Sequence, residues 1–126
     1  MGLDVGTKQI GVALGDDAVR VAQPLKTVDA DAPEALQAYI HDHEVTDIVV
    51  GRPRNQAGST TNQTTLVEQF VAAELPSELP VHWQDESMTS VIAEERLAAR
   101  GKPYQKQDID AEAATIILQD FLETIA

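Results

Sequence analysis

The sequence contains no cysteine, so it can form neither a disulfide framework nor a thiolate metal site. Aromatic residues make up only 4% of it, which leaves a core to be built from Val, Ile, Leu and Ala. No apolar run approaches the ~18 residues of a membrane span, and no basic segment followed by an apolar stretch opens the chain. Basic residues are also scarce. Nine Lys and Arg stand against 21 Asp and Glu, a formal net charge of −12. Such a balance argues against strong general binding to nucleic acid, whose affinity comes largely from neutralised phosphates. It leaves room for a local basic track, or for a site where metal ions supply the positive charge. Most of the acids read as solvated surface.

What is present fits one domain spanning residues 1–126, since domains usually run roughly 100–200 residues. Leu3-Asp4-Val5 before Gly6 reads as the end of a short strand, and Gln9 to Leu14 as a second. A third is expected over Val19 to Val28, interrupted near Pro24, after the turn residues Gly15-Asp16-Asp17. The period then becomes helical. Pro33 opens a helix carrying Leu36, Tyr39 and Ile40, and Ile48 to Gly51 forms a buried strand. Thr60 to Glu74 sets Leu66, Val67, Phe70 and Val71 on one helical face. Pro80 to Trp83 is a fifth strand, Met88 to Arg100 a helix ended by Gly101, and a long amphipathic helix runs from Ala111. The expected order is βββαβαβαα: an α/β domain with three antiparallel strands, then parallel strands joined through helices.

Three acids sit where such a fold would gather them. Asp4 lies inside an apolar strand, where an ionised carboxylate costs several kcal/mol unless it is paired or binds metal. Glu86 follows the fifth strand, and Asp110 stands at the start of the last helix. Alone, each has a plainer reading: a turn residue, a solvated acid, a helix N-cap. With strands one and four adjacent and five beyond four, they would converge at one end of the sheet. Oxygen-only ligands suit Mg²⁺ or Mn²⁺. Two such ions can activate water and stabilise the leaving oxygen of a phosphodiester.

The segment Gly51-Arg52-Pro53-Arg54-Asn55-Gln56-Ala57-Gly58-Ser59-Thr60 follows a buried strand and opens a helix. It can offer backbone N–H groups and two guanidinium groups to a phosphate, or be a plain surface loop with a helix cap. It lacks the Lys of a Walker A loop. Thr7, Lys8, Arg52, Arg54 and Asn55 are the candidate substrate contacts, with Lys102 and Lys106 as further basic candidates. His41 and His43, two apart on a helix, face different ways and build no site. Trp83 reads as core packing rather than a stacking platform for bases.

Over essentially its whole length the sequence resembles the YqgF (RuvX) family, ribonuclease-H-fold relatives of the Holliday-junction resolvases. The run from Leu3 to Ala13 resembles the family's DxGTKxIGVA opening. Ile48 to Gly51 with Pro53, Asn55, Gly58 and Ser59 resembles its VVGLPLNxxGS loop, and Asp85-Glu86 with Thr89, Glu94 and Leu97 its DERLTT helix entry. Asp110-Ala111-Glu112-Ala113-Ala114 with Ile117-Leu118 resembles its DxxAAxxIL helix. The resemblance implies a ribonuclease-H-like five-stranded mixed sheet, and Asp4, Glu86 and Asp110 as catalytic, metal-binding acids. It also implies a bacterial cytoplasmic nuclease that uses Mg²⁺ or Mn²⁺ and leaves 5′-phosphate and 3′-hydroxyl ends. The leading role is maturation of the 5′ end of pre-16S rRNA, with ribosomal particles as partners; a resolvase-like action on branched DNA is the alternative. Ser87 and Met88 depart from the pattern by replacing its Arg-Leu, and Arg52 and Arg54 stand where leucines are usual. The first strand opens only three residues before Asp4, a length that leaves room for residues ahead of Met1.

Two other readings stay open at this level. A catalytically weak RNA- or protein-binding module on the same fold fits the acidic surface and the missing Arg. An actin-like or sugar-kinase ATPase shares the Asp4-Val5-Gly6-Thr7 segment, but needs two such domains around a nucleotide. A resolvase role would favour a homodimer, since two strands need two sites; a monomer suffices for the other roles.

Overall fold

The computed structural model describes residues 1–53, 62–86 and 89–125. Five strands form one mixed sheet: β1 (Gly2–Val5), β2 (Gln9–Gly15), β3 (Ala22–Asp29), β4 (Ile48–Pro53) and β5 (Val81–Glu86), in the order β3-β2-β1-β4-β5. β1, β2 and β3 pair antiparallel, while β4 runs parallel to β1 and β5 parallel to β4. The helices are α1 (Pro33–Asp42), α2 (Asn62–Glu74), α3 (Thr89–Ala99) and α4 (Lys106–Thr124). This is the expected ribonuclease-H-like architecture, including the adjacency of strands one and four.

Strand alternation divides the core in two. Leu3 and Val5 of β1, Ile10 and Val12 of β2 and Ile48 and Val50 of β4 face α1 and α2, meeting Leu36, Ile40 and Val67. The opposite face carries Ala13, Ala22 and Val49 against Ala114, Ile117, Leu118 and Leu122 of α4. α3 covers the outer side of α4 through Ala93, Ala113 and Ile116. The middle of α4 is therefore enclosed, and every residue from Asp110 to Leu118 is buried. Gly101, in the left-handed region at φ 73°, turns the chain between the two helices.

Small residues let α4 lie directly on the sheet. Gly11 pairs with Asp4 across β1 and β2. A Cβ on Gly11 would run into the backbone carbonyl of Asp110. At Gly2 a Cβ would come within 2.6 Å of the Leu118 Cβ. Polar ties fix the helix along its length: the Thr27 hydroxyl donates to the Gln107 carbonyl at 2.7 Å, and the Ala22 N–H donates to Gln119 Oε1 at 2.9 Å.

Differences from the expected elements have local causes. α4 begins at Lys106 rather than Ala111, because the Gln105 N–H donates to Asp108 Oδ2 at 2.9 Å and closes the first turn. Asp110 thus lies one turn inside the helix and is not its N-cap. The third strand starts at Ala22, and its pairing slips between Val12 and Ala13, where β3 carries Leu25 between the partners Pro24 and Lys26. In α2, Val67 is buried but Leu66 is 51% exposed, so the apolar face is narrower than its spacing suggests.

Replacing Gly11 with Val forces α4 away from the sheet at the turn that bears Asp110. We expect a loss of about 2 kcal/mol or more in urea denaturation; a change within about 0.5 kcal/mol would contradict the close contact.

Candidate active site

The hairpin between β1 and β2 and the first turns of α4 border an open cavity of about 800 Å³. Asp4, Thr7, Lys8, Lys106 and Asp110 all line it. Asp4 comes from the centre of the sheet, on the face that carries Gly11 and α4. Asp110 arrives from the helix. Between them, the missing side chain at Gly11 is what lets the helix backbone come down beside the strand. The hairpin tip is held by the Gly6 N–H, which donates to the Gln9 carbonyl at 2.9 Å. The Ala30 N–H donating to the Lys8 carbonyl, also at 2.9 Å, ties that tip to the end of β3.

The electrostatics follow from this placement. Burial pushes the Asp4 carboxyl up to about 6 from its usual 3.8, the negative charge of Asp110 adds to the rise, and Lys106 opposes it. The Lys106 ammonium donates to Asp110 Oδ1 at 2.8 Å; the Asp110 side chain is 11% exposed and that of Lys106 78%. One monovalent cation, mostly in solvent, thus stands beside two enclosed carboxylates. This is a poor balance for a purely structural cluster and a suitable one for a divalent ion.

Contrast Glu112, two residues further along α4. It is just as buried, but Arg100 meets its Oε1 at 2.9 Å and Arg96 its Oε2 at 3.8 Å. That acid is fully engaged in joining α3 to α4.

The donor set fits Mg²⁺ or Mn²⁺: carboxylate oxygens, with no sulfur or imidazole among the described lining residues, and an open side for water and phosphate. Among the described residues, no three His, Cys, Asp or Glu side chains come close enough together to hold a metal ion. Glu86, the third acid of the sequence reading, closes β5, and its side chain lies outside the described residues, as do Arg54 and Asn55.

Of the expected substrate contacts, Thr7 and Lys8 line the cavity with the acids. Arg52 does not. The alternation of β4 sets it on the face of Ile48 and Val50, where its guanidinium stacks 4.5 Å from the centroid of the Trp83 ring. Its Nε is buried and has no hydrogen-bond partner among the described residues. Trp83 packs against the core, as its sequence context suggests. Two features escaped the sequence reading. Lys106 figured there only as a basic residue, although its spacing of four from Asp110 on a helix signals the pair. Gly11 carried a signal as a glycine inside a strand, the mark of a close backbone approach.

A family model described as "RuvX: Holliday junction resolvase" matches residues 1–124. The chain belongs to the RuvX family. Proteins similar to it include one from Roseiflexus sp., 42% identical over 131 residues that cover 98% of this chain and 93% of the relative. Another, from Moorella thermoacetica, is 43% identical over 133 residues, covering 99% and 94%. Both are named "Putative pre-16S rRNA nuclease". Among solved structures, the RuvX chain is similar in fold to Thermus thermophilus RuvC in complex with a Holliday junction substrate. The TM-score is 0.56 at 16% identity, over 98% of this chain and 93% of that one. It is likewise similar to the Fowlpox virus resolvase in complex with Holliday junction DNA, with a TM-score of 0.55 at 8% identity, over 98% and 96%. The RuvX chain is thus a nuclease of the Holliday-junction-resolvase-like family, acting on phosphodiester bonds.

The raised Asp4 carboxyl makes stability depend on pH. Between about 4 and 6 the folded protein holds a proton that the unfolded chain releases, so the metal-free fold weakens as pH rises through that window. In chelator, Asp4→Asn should exceed the parent in stability by about 2 kcal/mol at pH 7.5, with the gap narrowing towards pH 4. Urea denaturation across that range checks this, and a gap that does not vary with pH would contradict it.

Proposed function

We propose that this chain is a metal-dependent endonuclease that matures the 5′ end of pre-16S rRNA by hydrolysing a phosphodiester in structured RNA. The observation that carries the reading is the meeting of Asp4 and Asp110, 106 positions apart in sequence, in one cavity with Lys8 at its edge. The naming of relatives more than 40% identical over nearly the whole chain supports rRNA as the substrate. Likeness to junction-bound resolvases lies at the level of fold, and branched DNA is accordingly the second substrate to test.

In this reading Asp4, Glu86 and Asp110 hold Mg²⁺ or Mn²⁺. Two such ions would supply the charge that activates a water and stabilises the departing 3′-oxygen. The protein's own part is placement and charge. Asp4 is fixed by the strand and Asp110 by the helix clamped over Gly11 and Thr27, so the carboxylates need not be ordered when the ions arrive. Thr7 and Lys8, on the hairpin tip, would receive the phosphate on the open side of the acids. Arg54 and Asn55 would hold the backbone of the nucleic acid beyond β4, while Arg52, on the face opposite Asp4 and stacked on Trp83, is left out of that contact. A small basic group beside a metal site suits a chain whose net charge of −12 disfavours binding nucleic acid anywhere else. The same charge makes binding steeply sensitive to divalent ion concentration. Action on pre-rRNA places the protein in the cytoplasm, on free precursor or on assembling ribosomal particles.

The test is a cleavage assay with Mn²⁺ on a pre-16S rRNA fragment and on a four-way DNA junction. Changing a residue that merely supports a metal ligand costs about 10–100-fold. Asp4→Asn and Asp110→Asn, which remove ligands, should each lose at least about a hundredfold. Cleavage of the RNA with correct 5′-phosphate ends is expected from the parent. Full activity in either variant would refute the site, and cleavage of the junction alone would replace rRNA by branched DNA as the substrate.

A further inference from the structure

Lys106 is poorly placed for the helix that contains it. It is the first residue of α4, where the positive end of the helix dipole disfavours a cation. Its pair with Asp110 also runs in the weaker direction, with the base N-terminal to the acid. A partner for the dipole is already supplied by Asp108 in the same turn. Helix stability therefore does not account for a lysine here. What the side chain does is reach one turn along to Asp110 Oδ1, at 2.8 Å, at the cavity that Asp4 also lines. The remainder of the side chain is in solvent, so it can leave without breaking any packing.

We propose that Lys106 is a built-in counter-cation, which occupies Asp110 while the site is empty and is displaced when the divalent ion loads. This rests on the metal-dependent reading of the site and adds to it a residue that sets how much metal the enzyme needs. A buried and a half-buried carboxylate without a cation would repel each other and weaken the fold; Lys106 supplies one charge in the interim. A divalent ion supplies two and coordinates the oxygen directly, so the lysine yields. Once displaced, its ammonium stays at the cavity mouth with Lys8, where the substrate's phosphate enters. Lys106 is in this sense a positioning residue: it governs the readiness of Asp110 and does not itself hold the ion.

Competition of this kind has a signature that damage to the site does not share. Calorimetric titration of the whole protein with Mn²⁺ alone should show about three- to tenfold tighter binding in Lys106→Met. Lys106→Arg, which keeps a cation on Asp110, should stay near the parent. Lys26→Gln, which removes an equal charge from exposed β3 outside the cavity, should change affinity by less than about twofold. Thermal melts give the second readout. Lys106→Met should melt below the parent in chelator, and saturating Mn²⁺ should erase or reverse that deficit, because the ion then replaces what the lysine provided. Unchanged or weaker Mn²⁺ binding in Lys106→Met, or a deficit of equal size with and without Mn²⁺, would overturn the inference while leaving the nuclease site intact. A parent protein with no saturable Mn²⁺ binding would overturn both.

Discussion

Everything about this molecule that bears on its chemistry depends on one unfavourable arrangement. Two carboxylates, Asp4 and Asp110, are held out of water within reach of each other's field, with one solvent-exposed lysine between them and neutrality. A chain under selection for stability alone would place an apolar residue at the centre of β1, as it does at Leu3 and Val5 on either side. The fold instead goes to some length to create the encounter. Gly11 gives up its side chain so that α4 can rest on the strand opposite Asp4, and Thr27 secures the first turn of the helix. Glu112 shows what a structural acid looks like in the same helix: buried as deeply, but answered by two arginines.

The same arrangement reconciles the acidic composition with a nucleic-acid substrate. A protein carrying −12 cannot gather RNA by its overall field. In the proposed reading it does so at a point where divalent ions would reverse the sign, and Lys8 and Lys106 line the cavity at that point. In that reading, metal loading comes first and prepares the point at which the substrate binds. With the site empty, the Lys106 ammonium pairs with Asp110 and sets one positive charge beside the two acids.

Much of this was legible in the sequence because the signals were local. Turn residues marked the β1–β2 hairpin, the change from a period of two to a helical period marked Pro33 onward, and an acid inside Leu3-Asp4-Val5 pointed to the cavity that it lines. The order of elements then fixed which strands could neighbour one another, and so which acids could meet. What stayed hidden depends on contacts between distant segments. α4 starts five residues ahead of the Ala111 that its apolar stripe suggests, because its first turn, around Gln105 and Asp108, is polar and closes by its own hydrogen bond. Arg52 carries the right charge for a phosphate contact, but strand parity sets it on the far face against Trp83, and parity is known only once the register is. The pairing of Lys106 with Asp110 needed the helix to begin early enough to contain both.

The claim beneath all of this is that Asp4 and Asp110 jointly hold a divalent cation. Anomalous diffraction from crystals of the protein grown with Mn²⁺ addresses it directly. The account predicts a manganese peak within coordination distance of an oxygen from each of the two carboxylates, with the Lys106 ammonium withdrawn from Asp110. A peak that touches neither acid, or acids that remain bridged by Lys106 at saturating Mn²⁺, would contradict it.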